Sequence, residues 1–422
     1  MNILESLNHP EKYWKIFLKW SLLGALMGGI GGFLGAFFHH ALHFVTELRA
    51  ENPWLILLLP VGGLASVGIY RLFKLRNNRG TNEIIDAILN GDSVNPLIAP
   101  VIFLATATTH LFGGSAGREG AALQLGGSVG SKLAKLLRLN ENERTVLIMA
   151  GMSAVFAGLF GTPLTATFFC MEFASVGTVF SPALLPCYLA AFMANRVSAS
   201  MGVHAEVFPL NKVLDFTFTV NWQVLVLAAA VGLLGILMCW FLHQAEHFAA
   251  KRIPNAWGRI ALGGVLITVM TMLVGDHRYN GAGMDMALKA VGGEADWYDF
   301  LLKLLFTAVT LSAGFKGGEI VPTFCIGATF GCLIGNLIGL DPGIAAALGL
   351  VGLFCCVTNS PMASIMLSIE MFGSANVYIF AFVCVIAFVL SGNWGLYASQ
   401  IIQFSKSRLV KRRYDTMGTP KD

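Results

Sequence analysis

Inside a long apolar run, the residues Gly113-Gly114-Ser115-Ala116-Gly117-Arg118-Glu119-Gly120 place four glycines beside an arginine and a glutamate. That many glycines disfavour a continuous helix, and an ionisable side chain in lipid is costly enough to mark a functional position. Irregular backbone survives at membrane depth only where protein or a water-filled cavity satisfies its polar groups. The stretch therefore reads as a site within a membrane protein rather than as a span, with Glu119 its first residue of interest.

Composition supports that setting. Of 422 residues, 55% are hydrophobic and 12% charged, against about a quarter charged in a soluble domain. The chain is predicted to be an all-α, multi-pass integral membrane protein. Apolar segments that span, or form part of a span, are Ile16 to Val45, Trp54 to Phe73, Pro96 to Phe112, Val146 to Glu172, Val224 to Leu242, Ala261 to Val274, Ile344 to Phe354 and Val377 to Leu390. Several are shorter than the roughly 20 residues of a full crossing, so re-entrant and half-spanning helices are predicted. The eight cysteines lie in apolar stretches without metal-ligand or redox spacing and read as small buried hydrophobes. No nucleophile and base pair, phosphate loop or cofactor motif is apparent, so neither an enzyme nor a metal or cofactor protein is predicted. The first residues carry no signal-peptide pattern, and the first hydrophobic segment is expected to be retained.

Charge sets the expected orientation, since lysine and arginine concentrate in cytoplasmic loops. Lys12, Lys15 and Lys19 precede the first span, and Lys406, Arg408, Lys411, Arg412 and Arg413 follow the last. Both termini are expected in the cytoplasm of a cell, or inner, membrane, with the Arg71 to Arg79 and Lys132 to Arg144 clusters on the same side. The acidic loop from Asp276 to Asp299 fits the opposite face. The basic tail is an orientation anchor; no nucleic-acid partner is implied.

The chain also carries a hidden repeat. Gly117-Arg118-Glu119-Gly120 corresponds to Gly317-Gly318-Glu319-Ile320, 200 residues downstream, and each is followed by an apolar helix with small residues. Farther on, Gly161-Thr162-Pro163 with Glu172 parallels Asn359-Ser360-Pro361 with Glu370, each glutamate nine residues past its proline. Order and spacing agree together, and the polar stretch from Glu206 to Trp222 separates the halves. The expected units are a cytoplasmic segment 1–14, membrane repeats 15–210 and 211–405, and a basic cytoplasmic tail 406–422. Paired glycine-interrupted segments in two halves point to a transporter's binding site, and Pro163 and Pro361 are placed to open new helices.

A glycine-rich break followed by a helix presents free amides and the positive end of a helix dipole, which together favour an anion. A glutamate there can take the anion's place as a tethered competitor, and its protonation both removes that competition and carries a proton. An ion pair with Arg118 is the plainer use for Glu119, and a helix-start acid the plainer use for Glu319. Glu172 and Glu370 read as helix-end or packing residues, and His110 as structural or as a proton relay.

The two glycine motifs, the Pro163 and Pro361 helices and the late Gly395-Leu396-Tyr397 together resemble the CLC family of anion channels and anion/proton antiporters, over roughly Trp14 to Ser405. The resemblance implies inverted-topology halves, a homodimer in lipid and one pathway per subunit. It implies that Glu119 gates the pathway and handles protons, that Gly117, Arg118 and Gly120 help bind the anion, and that Gly318, Glu319 and Ile320 face it with Tyr397 donating its hydroxyl. Two departures from the chloride branch matter. The filter loop reads Asn78-Arg79-Gly80-Thr81-Asn82-Glu83 without the branch's serine and proline, so that Gly80, Thr81 or Asn82 stands in its place, each hydroxyl or amide being also a possible helix cap. Glu319 replaces an apolar residue. Both resemble the fluoride/proton antiporter branch, which implies fluoride export driven by protons; a chloride-selective channel or chloride/proton exchanger is the alternative.

Overall fold

The computed structural model describes residues 10–404 apart from 77, 209, 211, 212, 215 and 216, together with 406 and 411–415. The N-terminal segment through residue 9 and the tail residues 407–410 and 416–422 lie outside the described residues. Eight helices make the first half: α1 (Pro10–Glu51), α2 (Leu59–Leu72), α3 (Thr81–Asn90), α4 (Ile98–Leu111), α5 (Glu119–Leu136), α6 (Glu141–Phe160), α7 (Pro163–Glu172) and α8 (Leu184–Ser200). Eight more follow: α9 (Phe218–Arg252), α10 (Ala256–Val274), α11 (Met284–Val291), α12 (Asp299–Ala313), α13 (Ile320–Ile338), α14 (Pro342–Thr358), α15 (Pro361–Phe372) and α16 (Val377–Leu390). The two sets match member by member. The longest helix opens each set, with 42 residues in α1 and 35 in α9, and the third and seventh members are short in both.

Among the described residues six helices, counting Pro53–Leu72 as one, are long and apolar enough to cross a membrane, and Ile320–Ile338 is one that the apolar segments read from the sequence did not include. The run from Val146 to Glu172 divides at Gly161, whose φ of +72° ends α6, and Pro163 opens α7 as its position predicts. The separator between the halves is shorter than expected, because α9 already begins at Phe218. All eight cysteines are free and buried.

Small residues let the helices around the centre approach closely. A Cβ on Gly151 would strike the backbone of Gly126, and in the second half a Cβ on Gly327 would meet the Gly349 carbonyl at 2.5 Å. Backbone contact at glycine is the usual device for tight helix crossing in membranes. A short sheet adds to the helical fold: Ser175–Val176 pairs in parallel with Ile401–Phe404, which pairs antiparallel with Lys411–Asp415. It ties the chain's end to the exit of α7.

Candidate anion site

The two glycine breaks meet. The Gly117 amide donates to the Gly318 carbonyl at 2.7 Å, and the Gly318 amide returns the bond to Gly117 at 2.9 Å, a single antiparallel bridge between the halves. Helices α5 and α13 start from it, so their amino ends converge. Amides of the first turn of a helix have no acceptor within it, and those of Ile320 and Val321 are of this kind. The amides of Gly117 and Gly318 are both used in the bridge, each donating to the other residue's carbonyl. Their contribution is the space above them. A Cβ on either would overlap the carboxylate of Glu119.

Glu119 is fully buried, and its carboxylate folds over the bridge with the amides of Arg118, Val321 and its own residue as the nearest donors. Neither carboxylate oxygen makes a well-formed hydrogen bond to them. A carboxyl group thus sits where helix ends converge without being fixed there. Gly120 continues the close packing: a Cβ there would stand 3.1 Å from Thr81 Oγ1.

Below the bridge a cavity of about 370 Å³ opens among Gly80, Thr81, Asn82, Gln124, Lys316, Glu319 and Tyr397. It is basic: Arg71, Arg76, Arg79, Arg259 and Lys316 line it against Glu246 and Glu319. The loop before α3 is held by local contacts. Gly80, at φ +65°, is the residue before α3, and neither Thr81 nor Asn82 caps that helix. Asn82 Oδ1 accepts the Ser399 amide at 3.0 Å, which ties this loop to the segment carrying Tyr397, while the Thr81 hydroxyl faces Gly120. Tyr397 is 2% exposed, with its ring edge-on to Phe173 at 5.0 Å. Glu319 immediately precedes α13, half-buried on the cavity wall, and Ile320 is buried behind it. Gln124, one turn into α5 with its amide on the Gly120 carbonyl at 3.0 Å, was not singled out by any motif.

Arg118 belongs elsewhere. Its guanidinium lies over Phe160 at 5.0 Å and donates to Glu206 at 2.5 Å and to His39 Nδ1 at 3.3 Å. It therefore lines a second, larger cavity of about 930 Å³ on the opposite side, where Arg49, Arg118, Arg278 and Lys289 face Glu47, Glu206, Asp285, Glu294, Asp296 and Asp299. His110 is buried there with Nε2 3.3 Å from the Gly117 carbonyl, holding the break in place. Behind this wall Lys303 is fully buried, donating to Ser115 Oγ at 3.0 Å and to the carbonyls of Tyr279 at 3.1 Å and Gly281 at 2.7 Å. A lone lysine in the apolar run of α12 was visible in sequence by the same logic that singled out Glu119; Glu206, in a polar connection, carried no such signal.

A sequence model described as voltage gated chloride channel matches residues 61–392. The chain belongs to the CLC family. The CLC relatives include a protein of Pseudomonas syringae pv. tomato named chloride/fluoride channel protein, 35% identical over 92% of this chain and 87% of its own length. The H(+)/Cl(-) exchange transporter ClcA of Vibrio campbellii is 25% identical, covering 83% of this chain and 81% of its own. Among solved CLC structures, a CLC-type fluoride/proton antiporter superposes with a TM-score of 0.87 at 34% identity, over 91% of this chain and 98% of that one. A slow cyanobacterial Cl-/H+ antiporter at 20% identity and TM-score 0.74, covering 88% and 94%, shares the CLC fold. The multi-pass, all-α CLC architecture expected from the sequence is thereby established.

Proposed function

We propose that the chain is a proton-coupled fluoride exporter, a fluoride/proton antiporter working through a CLC-type pathway. The observation that carries this is the pair of carboxylates at the two breaks: Glu119 over the glycine bridge and Glu319 on the wall of the basic cavity. Fluoride is small and strongly hydrated, so a lining able to replace its water must offer hard donors, and Thr81, Asn82, Lys316 and Tyr397 supply hydroxyl, amide and ammonium groups. The relatives named for fluoride support the same choice of ion. Glu119 occupies the anion's place when ionised and leaves it when protonated, so that proton and anion move in turn. The helix dipoles of α5 and α13 favour either negative group at the crossing.

The further parts of the assignment follow from the same organisation. The repeats are residues 15–210 and 211–405, the protein is a homodimer in the cell membrane, and both termini are cytoplasmic. The basic cavity then faces the cytoplasm, which fits the clustering of arginine there. The test is ion flux from liposomes holding purified protein. Fluoride should drive uphill proton movement, and turnover for chloride equal to that for fluoride would sink the choice of ion. Glu119→Gln should abolish the proton movement; retention of pumping by that variant would refute the gating role.

A further inference from the structure

We propose that Glu206 is the carboxylate through which protons pass between the outer cavity and Glu119, with the Thr162 hydroxyl and a water between them. This rests on the proton-coupled function above and names its outer proton route.

Glu119 is fully buried, so its proton needs a path. Next to it lies a chamber walled by Phe156, Phe160, Phe324, Leu367 and Met371, whose polar members are Glu119, Thr162 and Glu206. Its free volume is about 10 Å³, room for one water. Glu206 alone among these polar groups also lines the large outer cavity. It is thus the group in contact with both compartments.

Thr162 has an unusual freedom. It is the residue before α7, where a threonine normally caps the helix, yet its hydroxyl makes no cap and is buried without a partner. The reason lies in the other half: Glu370 takes the amides of Leu164 and Thr165 at 2.8 and 2.9 Å. Three buried oxygens, two on Glu119 and one on Thr162, therefore face the chamber unbonded. Unsatisfied buried polar atoms are rare and ask for a functional or solvent explanation.

Glu206 is poised for exchange. Its partner Arg118, 14% exposed in its side chain, donates to its carboxylate and is itself held by the Phe160 ring and His39. The connection carrying Glu206 is pinned nearby, where the Phe208 amide donates to the Met371 carbonyl at 2.7 Å. In the step, a proton taken by Glu206 from the outer cavity moves through water and the Thr162 hydroxyl to a carboxylate oxygen of Glu119. Glu206, ionised again, closes on Arg118. One proton enters and one is delivered, with no other species required. The charged and titratable groups facing this path are Arg118 and His39, with Glu47 and His43 farther out in the cavity.

The experiment compares Glu206→Gln, Glu206→Asp and Thr162→Val with the natural protein in liposomes, measuring fluoride-driven proton flux against external pH together with thermal unfolding. Gln keeps an acceptor for Arg118 but cannot carry a proton. Glu206→Gln should slow proton flux by about tenfold or more at unchanged unfolding temperature, Asp should restore part of it, and Val at Thr162 should slow it similarly. Natural proton flux in Glu206→Gln across the external pH range overturns the proposal, as does a loss that Asp fails to rescue and that follows unfolding. Should the natural protein pump protons with chloride only, the fluoride assignment falls while the same comparison, run in chloride, still decides the role of Glu206. No coupled proton movement with either anion overturns both.

Discussion

Gly117 and Gly318 hydrogen-bond each other through both backbone groups, so one short bridge fixes the two membrane halves at the point where Glu119 lies. Neither glycine is there for a left-handed backbone, since neither has a positive φ. They are required by close approach. Gly318→Ala would drive a methyl into the Glu119 carboxylate and to 2.7 Å from the Gly120 amide, and the backbone must shift. The expected cost is about 1–3 kcal/mol of stability, seen in thermal unfolding, together with a loss of anion flux larger than that destabilisation accounts for.

Glu172 and Glu370 exchange caps across the halves. Glu370 accepts from the amides opening α7, and Glu172 accepts from Met362 and Ala363 at 3.2 and 3.0 Å, opening α15. Each lies in the last turn of its own helix and caps the amino end of its counterpart, which is why a glutamate nine residues past the proline recurs in both halves. Replacing either by Gln keeps one acceptor and loses the charge. Each single change should lower stability by about 1–2 kcal/mol, and the two should be alike; a variant whose transport collapses at unchanged stability would place that carboxylate in the proton route instead.

Much of this was legible in the chain itself, for identifiable reasons. The repeat showed because glycine, proline and glutamate are punctuation that no ordinary span needs, so Glu119, Glu319, Glu172 and Glu370 stood out. The sequence pointed to helix-end roles for the last two, and their bonds supply the partner. What stayed hidden depends on which atoms meet in space. No spacing rule shows that the amides of Gly117 and Gly318 each donate to the other residue's carbonyl, that Arg118 turns away from Glu119 toward Glu206, or that Asn82 accepts from the Ser399 amide while Thr81 faces Gly120. The short sheet at the chain's end was also illegible, because a two-residue strand has no period to detect.

Lys303 makes three hydrogen bonds in a fully buried position, to Ser115 and to two carbonyls of the loop that follows α10. Met would fill the same space and leave the Tyr279 and Gly281 carbonyls without this donor. Lys303→Met is expected to cost about 3 kcal/mol or more and to raise hydrogen exchange at residues 279–283. Unchanged protection of that loop would show that the ammonium does not hold it.

Tyr279 gives the same loop a dependence on pH. Burial raises its phenol above the ordinary value, and the hydrogen bond it donates to Asp299 at 2.5 Å raises it further, against the opposing pull of Arg278. A group raised in the folded state contributes its stability fully below its unfolded pKa of about 10, and that contribution is lost as pH climbs through the folded value. The loop should therefore loosen only above about pH 10, while Tyr279→Phe, which removes the titration, should be weaker at neutral pH and flat across that range. Hydrogen exchange against pH checks both.

Thr81 and Asn82 divide the work of the filter loop. Asn82 uses its carbonyl oxygen to hold Ser399, so its loss should disturb the position of the Tyr397 segment and weaken transport of any anion. Thr81 points its hydroxyl at Gly120, and under the proposed function it is the side-chain donor of this loop that meets the desolvated ion. A buried site built around such a donor discriminates strongly when the donor is removed, because its remaining polar groups are left to a poorer partner. Thr81→Val, equal in shape, is expected to reduce fluoride flux by about tenfold with chloride flux little changed, whereas Asn82→Leu should reduce both. Parallel fluoride and chloride fluxes from the two variants decide it: equal loss for both ions at Thr81 would remove that hydroxyl from selectivity and leave it a packing role beside Gly120.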